Sequence, residues 1–346
     1  MKAAVFVEKQ KIEIRDIPRP EIGAGEILLK VEYCGICGSD VHAYQSGQLF
    51  SPGTVMGHEF SATVAEIAEG VEGFAIGERV AVSPGAACRE CYYCIRGLAN
   101  LCIGSKFPVI GLSPDINGAF AEYVRVLRPT NQLTKLTESI PLQQAALAEP
   151  YSVAMHALRK SRFQPGDSVL VIGAGPIGLA VTNLLSLAGA GKITVIEKSA
   201  ARAGQAGGFG AHEVLNPDIE GIGLSDKVRS LNNIVGPDII FECAGLPETF
   251  NLALSLARRD GQVVVVSIVE QETPMYPLVL AVNEVDLRGS YGFVNEDFHR
   301  IIGFMGNGRL AVDRMISQVI SLDDIVEKGF KTLLRSPAEL KILVQP

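Results

Sequence analysis

The sequence has no excess of basic residues and no long apolar run. Its 346 residues include 31 Lys and Arg against 38 Asp and Glu, a formal net charge of −7, so the basic footprint of a nucleic-acid-binding protein is absent. No apolar stretch approaches the roughly 20 residues that span a bilayer. The first apolar stretch ends at Glu8, too early for a secretory signal. These absences predict a cytoplasmic protein that binds neither nucleic acid nor membrane.

The length of the chain and the change in its secondary-structure pattern near residue 150 predict two domains. A single hydrophobic core stops growing near roughly 250–300 residues, and this chain is longer. Residues 1–150 contain short strand-like runs separated by Gly and Pro, which is typical of an irregular β-rich domain. From residue 151 strands and helices alternate, beginning with the apolar strand 168–172. That alternation predicts an α/β fold with a doubly wound parallel sheet.

A glycine-rich turn follows this apolar strand directly. The run Gly173-Ala174-Gly175-Pro176-Ile177-Gly178 opens an apolar helix, which is the context in which such a run binds a dinucleotide. The first glycine permits the tight turn, the second lets the pyrophosphate approach the backbone, and the third lets the helix pack on the strand. Pro176 and Ile177 begin the helix, whose N-terminus favours phosphate. The alternative is that the glycines only form turns.

Glu197 predicts the choice of dinucleotide. It comes 19 residues after Gly178, at the end of the next strand, where a carboxylate can bind both ribose hydroxyls and repels a 2′-phosphate. NAD is therefore expected over NADP. Lys198 and Arg202 leave NADP open because nearby cations tolerate a phosphate, although we expect Arg202 beside the adenine or the outer edge of the pyrophosphate.

Four of the seven cysteines form a tight cluster. Two, two and seven residues separate Cys88, Cys91, Cys94 and Cys102. Four thiolates complete a tetrahedral shell around zinc and leave no position for a substrate, so this zinc is expected to be structural. An iron–sulfur cluster is the alternative, because its cysteine spacings overlap in part.

A second set of metal-binding residue types is divided among three parts of the β-rich region. Cys37-Gly38-Ser39-Asp40-Val41-His42 precedes Gly57-His58-Glu59, and Glu149 lies where the nucleotide-binding part begins. Together they offer a thiolate, an imidazole and carboxylates, and a catalytic zinc takes three such ligands and keeps one position open. We predict Cys37, His58 and Glu149 as the ligands, in a cleft where the substrate meets the nicotinamide.

These motifs resemble those of the zinc-containing medium-chain dehydrogenase/reductase family, and within it those of sorbitol and 2,3-butanediol dehydrogenases. The resemblance covers nearly the full length. Besides the glycine-rich turn and the four cysteines, it rests on residues 34–40, 57–59, 118–123 and 148–150. It implies a GroES-like β-rich catalytic domain over residues 1–150 and 290–346, and a Rossmann NAD-binding domain over residues 151–289.

The resemblance also implies roles around the catalytic zinc. Cys37, His58 and Glu149 would be its ligands. Glu59 would be a carboxylate just outside the ligand shell, or a ligand that exchanges into it. Asp40 would hold the imidazole of His58, the usual support for a histidine that binds a metal.

The reaction implied by the resemblance is oxidation of a secondary hydroxyl of a small alcohol, diol or polyol by NAD. Ser39 would take the substrate proton and His42 would pass it to solvent, while zinc polarises the hydroxyl and the nicotinamide takes the hydride. A homodimer or homotetramer is expected, paired through the nucleotide-binding domains near residues 285–290. The alternatives are oxidation of threonine or a sugar acid at the same site, a zinc-free quinone reductase, and a non-catalytic NAD- and zinc-binding sensor.

Overall fold

The protein is built from many short strands and helices. The computed structural model describes residues 1–48, 50–104, 108–232 and 234–346. Among these residues the strands are β1 Lys2–Glu8, β2 Lys11–Asp16, β3 Ile27–Gly35, β4 Glu59–Ile67, β5 Arg79–Val82, β6 Tyr123–Val126, β7 Leu133–Lys135, β8 Ser168–Ile172, β9 Lys192–Ile196, β10 Glu213–Leu215, β11 Ile239–Glu242, β12 Gln262–Val265, β13 Asp286–Gly289, β14 Ile316–Ser321 and β15 Lys341–Gln345.

The helices are mostly short. The α-helices of the described residues are α1 Gly38–Ser46, α2 Pro129–Gln132, α3 Leu142–Ala145, α4 Ala148–Lys160, α5 Pro176–Leu187, α6 Ala200–Ala206, α7 Pro217–Glu220, α8 Leu224–Leu231, α9 Pro247–Leu256, α10 Leu278–Asn283, α11 Asn295–Gly306 and α12 Lys331–Arg335. The 3₁₀ turns are Cys94–Arg96, Ala99–Leu101, Gly207–Phe209, Gly221–Gly223, Val312–Met315 and Leu322–Asp324, and a π-helical turn spans Ile325–Phe330.

The chain divides into two compact units. The first comprises Met1–Glu149 and Phe293–Pro346, and the second comprises Pro150–Gly292. Within the described ranges, no helix combines the length and the apolar character needed to cross a membrane.

The first unit is built on a mostly antiparallel sheet. Its strands follow the order β14-β15-β3-β4-β5-β7, with β6 also paired on β3, and β1 and β2 form a separate hairpin. Aromatic residues including Phe6, Phe60, Phe120 and Phe330 fill the core. Gly35, at the end of β3, pairs with Leu343 of β15 on one side and with Glu59 of β4 on the other. The carboxyl-terminal strand is thereby brought close to the loop that follows β3.

The second unit is a six-stranded parallel sheet with the order β10-β9-β8-β11-β12-β13. Every residue of β8 is buried, as its continuous apolar sequence predicts for a central parallel strand. The strand order reverses between β8 and β11, and in such sheets ligands bind outside the carboxyl ends of the strands at that switch point. The glycine-rich turn lies there, and the predicted α/β fold with a doubly wound sheet is confirmed.

The sequence pattern predicts helices over residues 152–162 and 323–334, and the structure differs from both predictions. The helix expected over residues 152–162 already begins at Ala148, so Glu149 lies in its first turn, where Pro150 is tolerated because the first N–H groups have no intrahelical partner. The helix expected over residues 323–334 is broken into a 3₁₀ turn, a π-helical turn and α12. Close packing constrains this segment, because a Cβ at Gly329 would lie 2.7 Å from Cδ1 of Ile36.

Candidate metal centres and nucleotide site

Cys37 stands at the junction between β3 and α1. Its extended backbone conformation makes it the residue that caps the helix, and its N–H donates to Oδ2 of Asp40 at 2.9 Å. This bond satisfies one of the N–H groups that a helix start leaves without a partner. Asp40 is fully buried. The first turn of α1 therefore fixes the thiol and the carboxylate relative to each other.

Three side chains with metal-binding atoms converge beside this turn. The donor atoms of Cys37, His58 and Glu59 all lie within 4.8 Å of one another. His58 and Glu59 are buried, and Glu59 opens β4 opposite Gly35 of β3. The pairing of β3 with β4 thus brings together residues that are far apart in the sequence.

Glu149, the predicted third ligand, lies outside this group of three. Among the described residues, Glu59 is the acidic residue whose carboxylate lies within 4.8 Å of the donor atoms of both Cys37 and His58. Desolvation raises the pKa of Glu149 to about 7, the charge of His58 opposes this rise, and the charge of Glu59 adds to it. Glu149 is therefore in electrostatic contact with both residues, and its role as a ligand stays a prediction.

Buried polar atoms around His58 lack partners. Nδ1 of His58 and Oδ1 of Asp40 lie 3.8 Å apart, too far for a hydrogen bond, and neither atom has another partner among the described residues. The predicted support of His58 by Asp40 stays a prediction. Burial disfavours a charged imidazole, yet the negative charges of Cys37 and Asp40 raise the pKa of His58 well above its ordinary value.

This donor set fits a zinc ion. Cys37 and Asp40 place negative charge beside His58, and a cation bound here would neutralise it. Burial also raises the pKa of Asp40 to about 6, so the pocket disfavours a carboxylate that lacks a positive partner. A thiolate, an imidazole and a carboxylate are ligands that zinc takes in catalytic sites.

The two residues predicted to move the proton lie on one helix. Ser39 and His42 are three residues apart in α1, a spacing that puts side chains on the same helix face. Oγ of Ser39 is buried and has no hydrogen-bond partner in the described part of the chain, whereas His42 is exposed. One face of α1 therefore carries a buried hydroxyl and an imidazole that reaches solvent.

The sequence interpretation missed Lys341, at the start of β15. Its side chain is only 2% exposed, and Nζ lies 2.8 and 2.7 Å from the two carboxylate oxygens of Glu59. Burial disfavours its charge, but Glu59 and Cys37 together raise the pKa of Lys341 above its ordinary value. The signal available in the sequence was a lysine directly before the apolar run Ile342-Leu343-Val344.

The four clustered cysteines also converge. Their Sγ atoms lie within 4.8 Å of one another, with 3.8 Å between Cys88 and Cys94 and 4.0 Å between Cys91 and Cys102. A tetrahedron of thiolates with Zn–S bonds of about 2.3 Å has edges of about 3.8 Å. The sulfur separations therefore fit zinc, and none of the seven cysteines, all of which are described, forms a disulfide.

Backbone N–H groups prepare these sulfurs for a metal. The N–H groups of Cys88 and Gly104 donate to Sγ of Cys102 at 3.4 and 3.3 Å, and the N–H of Cys91 donates to Sγ of Cys88 at 3.3 Å. N–H groups of the same loop, first that of Cys94, lower the pKa of Cys91 to about 6. Because thiolates are the form that binds metal, these hydrogen bonds favour the ligand state of Cys91, whereas burial raises the pKa of the Cys94 thiol to about 12.

The glycine-rich turn of the second unit has the geometry of a phosphate-binding loop. Gly173 has φ of 98°, which favours glycine. A Cβ at Gly178 would lie 1.9 Å from the carbonyl oxygen of Gly173, whereas a Cβ at Gly175 would meet nothing within 4 Å. Gly178 therefore lacks a side chain because the turn and α5 pack closely there. The open space at Gly175, before Pro176 and Ile177 of α5, fits an approaching dinucleotide.

Glu197 lies beside this turn, directly after β9. Its Oε2 accepts the N–H of Ala174 at 2.8 Å and its Oε1 accepts the N–H of Ser199 at 2.8 Å. Ser199 also caps α6 by accepting the N–H of Arg202 at 3.4 Å. Glu197 and the first turn of α6 are therefore fixed next to the glycine-rich turn, and their contacts with a cofactor stay predictions.

Known proteins resemble this chain in both sequence and fold. The family model of the alcohol dehydrogenase GroES-like domain matches residues 23–138, and that of the zinc-binding dehydrogenases matches residues 176–307. The chain is 34% identical to (R,R)-butanediol dehydrogenase of Bacillus subtilis over 100% of both chains. It is 32% identical to sorbitol dehydrogenase of the same organism, over 100% of this chain and 97% of that one.

Solved structures agree with this relationship. A 2R,3R-butanediol dehydrogenase from Bacillus subtilis superposes with a TM-score of 0.90 at 33% identity, covering 100% of this chain and 99% of that one. A zinc-binding dehydrogenase from Sinorhizobium meliloti bound to NADP superposes with a TM-score of 0.90 at 30% identity, with the same coverage. The chain therefore belongs to the zinc-containing medium-chain dehydrogenase/reductase family and is an oxidoreductase of the alcohol dehydrogenase kind.

Proposed function

We propose that the protein oxidises a secondary hydroxyl of a small alcohol, diol or polyol and passes the hydride to NAD. The observation that carries this proposal is the convergence of Cys37, His58 and Glu59 next to the buried hydroxyl of Ser39, which has no partner in the described chain. The substrate class follows the butanediol and sorbitol dehydrogenases to which the chain is similar.

Cys37 and His58 would hold the catalytic zinc with Glu149 as the third ligand, which is the ligand set that the family resemblance implies. Glu59, whose carboxylate lies within 4.8 Å of the other two donors, would stay just outside the shell or exchange into it. When bound, zinc acts as a Lewis acid that lowers the pKa of the substrate hydroxyl. Together with the thiolate of Cys37, a carboxylate as the third ligand would balance the positive charge of the zinc ion. Asp40, fixed by the N–H of Cys37, would keep the imidazole of His58 in place from the side away from the metal.

Ser39 and His42 would remove the proton. The hydroxyl of Ser39 accepts the substrate proton and gives its own to the imidazole of His42, which releases it to solvent from its exposed position on α1. Histidine suits this task because its ordinary pKa is close to neutral. The products are a ketone, the reduced nicotinamide and one proton.

NAD is the proposed cofactor of the second unit. The carboxylate of Glu197, held beside the glycine-rich turn by the N–H of Ala174, would bind the ribose hydroxyls and repel a 2′-phosphate. Arg202 would lie beside the adenine or the pyrophosphate. The Sinorhizobium relative binds NADP, so the ratio of kcat/KM for NAD and NADP tests this assignment directly.

The remaining parts of the proposal concern the whole chain. Residues 1–150 with 290–346 would be the catalytic domain and residues 151–289 the NAD-binding domain. The four-cysteine cluster would hold a second, structural zinc, giving two per chain. We further propose a homodimer or homotetramer paired near β13, and a cytoplasmic location, where a reducing environment keeps cysteines available for zinc.

The proposal is tested by an NAD-reduction screen over diols, polyols and simple secondary alcohols, combined with zinc analysis. We expect two zinc ions per chain and NADH formation with at least one of these substrates. No NADH formation with any of them at full zinc occupancy would contradict the proposal and favour a non-catalytic sensor. Activity confined to threonine or a sugar acid would replace the substrate class but not the site.

A matched pair of cysteine variants tests the site. Cys37→Ala should abolish turnover and lose one zinc per chain, while the NADH dissociation constant, measured by fluorescence, stays within about twofold. Cys34→Ala, three residues away and buried in β3, should keep both zinc ions and the activity. Turnover near the wild-type level in zinc-deficient Cys37→Ala would disprove the assigned ligand.

A further inference from the structure

Glu242 is a fully buried carboxylate at the carboxyl end of β11. Its Oε1 accepts the N–H groups of Ala244 at 2.9 Å and Gly245 at 3.0 Å. The hydroxyl of Thr249 donates to the same oxygen at 2.8 Å, and the hydroxyl of Ser267 donates to Oε2. These four donors are neutral, and such hydrogen bonds compensate a carboxylate for the water that it loses on burial.

The two oxygens of Glu242 join two loops of the parallel sheet. The donors to Oε1 lie in residues 243–249, which leave β11 and enter α9 (the β11 loop). The donor to Oε2 lies in residues 266–268, directly after β12 (the β12 loop). The loops also approach each other closely, and a Cβ at Gly245 would lie 2.9 Å from the carbonyl oxygen of Ile268. One carboxylate therefore fixes the β11 loop against the β12 loop.

Both loops lie at the edge of the sheet where a dinucleotide would bind. In a sheet of this strand order a dinucleotide spans the switch point, and each of its nucleosides meets one half of the strands. The glycine-rich turn after β8 and Glu197 after β9 belong to the half β10-β9-β8, which would take the adenosine. The half β11-β12-β13 is then left for the nicotinamide nucleoside, and the β11 and β12 loops follow its first two strands.

Two apolar side chains of these loops are exposed although the carboxylate between the loops is buried. Leu246 of the β11 loop is 39% exposed and Ile268 of the β12 loop is 58% exposed. A nicotinamide ring has flat apolar faces, and ligand sites are lined mainly by apolar side chains. Because both side chains belong to loops that Glu242 holds, their spacing depends on its hydrogen bonds.

We propose that Glu242 is a positioning residue for the nicotinamide half of the cofactor, because its carboxylate sets the spacing of the two loops that contact this half. The adenosine half has its own support, since Glu197 accepts the N–H groups of Ala174 and Ser199. This inference rests on the proposed function in one respect, the nicotinamide dinucleotide as cofactor.

The affinities for NADH and ADP-ribose test the inference. ADP-ribose lacks the nicotinamide ring, so its binding should depend little on the spacing of the β11 and β12 loops. In Glu242→Ala four donors lose their acceptor, and the NADH dissociation constant should rise about tenfold, the effect of losing a buried hydrogen-bond partner. The dissociation constant of ADP-ribose, measured by the same calorimetric titration, should stay within about twofold. An equal rise for both ligands, or no rise for either, would overturn the inference.

Two variants control for shape and for stability. Glu242→Gln keeps an oxygen for the donors to Oε1, and its amide nitrogen can donate to the hydroxyl of Ser267, so its NADH dissociation constant should stay within about threefold of wild type. Asp238→Ala removes a carboxylate at the other end of β11, where Asp238 accepts the N–H of Ser168 at 2.8 Å and Nε of Arg258 at 2.7 Å. It should lower the melting temperature and leave the ratio of the two dissociation constants unchanged. The same change of ratio in Asp238→Ala as in Glu242→Ala would overturn the inference.

Amide hydrogen exchange gives a readout in protein without cofactor. The N–H groups of Ala244 and Gly245 should exchange about tenfold faster in Glu242→Ala than in wild type, because their hydrogen bonds hold the β11 loop closed. Unchanged exchange of both groups would contradict the role assigned to the carboxylate. Should Glu242→Ala fail to fold, Ser267→Ala breaks only the bond to the β12 loop, and it should weaken NADH binding about threefold without affecting ADP-ribose.

Failure of the inference and failure of the proposed function are distinguishable. If wild-type protein binds NADH and oxidises no alcohol, the proposed function fails, while the ratio of the two affinities still decides the role of Glu242. If alcohols are oxidised and Glu242→Ala keeps the wild-type ratio, the role of Glu242 fails alone. Wild-type protein that binds NADH no more tightly than ADP-ribose has no nicotinamide contact to position, and this result would also overturn the inference.

Discussion

Gly175 and Gly178, two glycines of one turn, differ in what a side chain would meet. A Cβ at Gly178 would lie 1.9 Å from the carbonyl oxygen of Gly173, while a Cβ at Gly175 would be in open space. The backbone of Gly175, with φ of −73° and ψ of 179°, is open to any residue. Gly178 is therefore required by the fold, and Gly175 is required only if a ligand approaches its backbone.

Alanine at each position should separate stability from binding. Gly178→Ala should lower the free energy of unfolding by about 1–3 kcal/mol, the usual cost of forcing an atom into a packed site. Gly175→Ala should change that free energy by less than about 1 kcal/mol but weaken NADH binding about tenfold, or 1.4 kcal/mol. Urea unfolding and NADH fluorescence titration measure the two effects. Wild-type NADH affinity in Gly175→Ala would argue against phosphate binding at this turn.

At the scale of elements, the four-cysteine segment has little apolar core of its own. The 3₁₀ turns Cys94–Arg96 and Ala99–Leu101 contain no buried residue, and Ile95 and Ile103 are 66% and 70% exposed. The guanidinium of Arg128 donates to the carbonyl oxygens of Ala87 and Cys88 at 3.2 and 3.4 Å. With so few other contacts, this segment would need a bound metal to keep one conformation.

Loss of one ligand should therefore unfold the segment locally. Cys91→Ser should lower the zinc content by one ion per chain and reduce the melting temperature, because a structural zinc contributes its binding free energy to folding. The unfolded backbone should then be cleaved by trypsin after Arg89 and Arg96, which are exposed but held in a folded loop in the wild type. Limited proteolysis and metal analysis measure these effects. Cys243→Ser, the same chemical change in the second unit, should leave the zinc content and the cleavage pattern unchanged. Full zinc content in Cys91→Ser would refute a four-thiolate site.

At the scale of the whole molecule, β13 is an edge strand of the parallel sheet. An edge strand offers unpaired N–H and C=O groups to another chain. Apolar side chains near this edge are exposed, including Val282 at 61% and Tyr291 at 71%. Exposed apolar residues near an open sheet edge are typical of surfaces that pair with another chain, and they are the basis for the dimer proposed near β13.

If two copies pair at this edge as proposed, a charge placed near it should disrupt the assembly. Val282→Lys should reduce the mass measured by light scattering to that of a single chain of 36.9 kDa, because a buried, unpaired lysine would be costly in the interface. Ile222→Lys, on a fully exposed residue of the same unit, should leave the assembly unchanged. An unaltered mass in Val282→Lys would contradict an interface at this edge of the sheet.

Local patterns in the sequence predicted much of the fold and part of the site. The strand predicted over 168–172, with the glycine-rich turn after it, was correct because a continuous apolar run followed by glycines is a local signal. The four cysteines lie within 15 residues of one another, so their convergence could be predicted from their spacing alone. The break in the helix predicted over residues 323–334 was missed, and one close approach within this segment, that of Gly329 to Ile36, joins residues far apart in the sequence.

By itself, the sequence determined the class of the fold, the glycine-rich turn, the four-cysteine cluster and the types of metal ligand, since each depends on residues near one another in the chain. Only the tertiary structure decided which carboxylate pairs with which cationic side chain. Lys341 and Glu59 are 282 residues apart, and they meet because β15 and β4 lie on either side of β3. Strand order depends on the packing of the whole unit, so no local pattern could have revealed this ion pair.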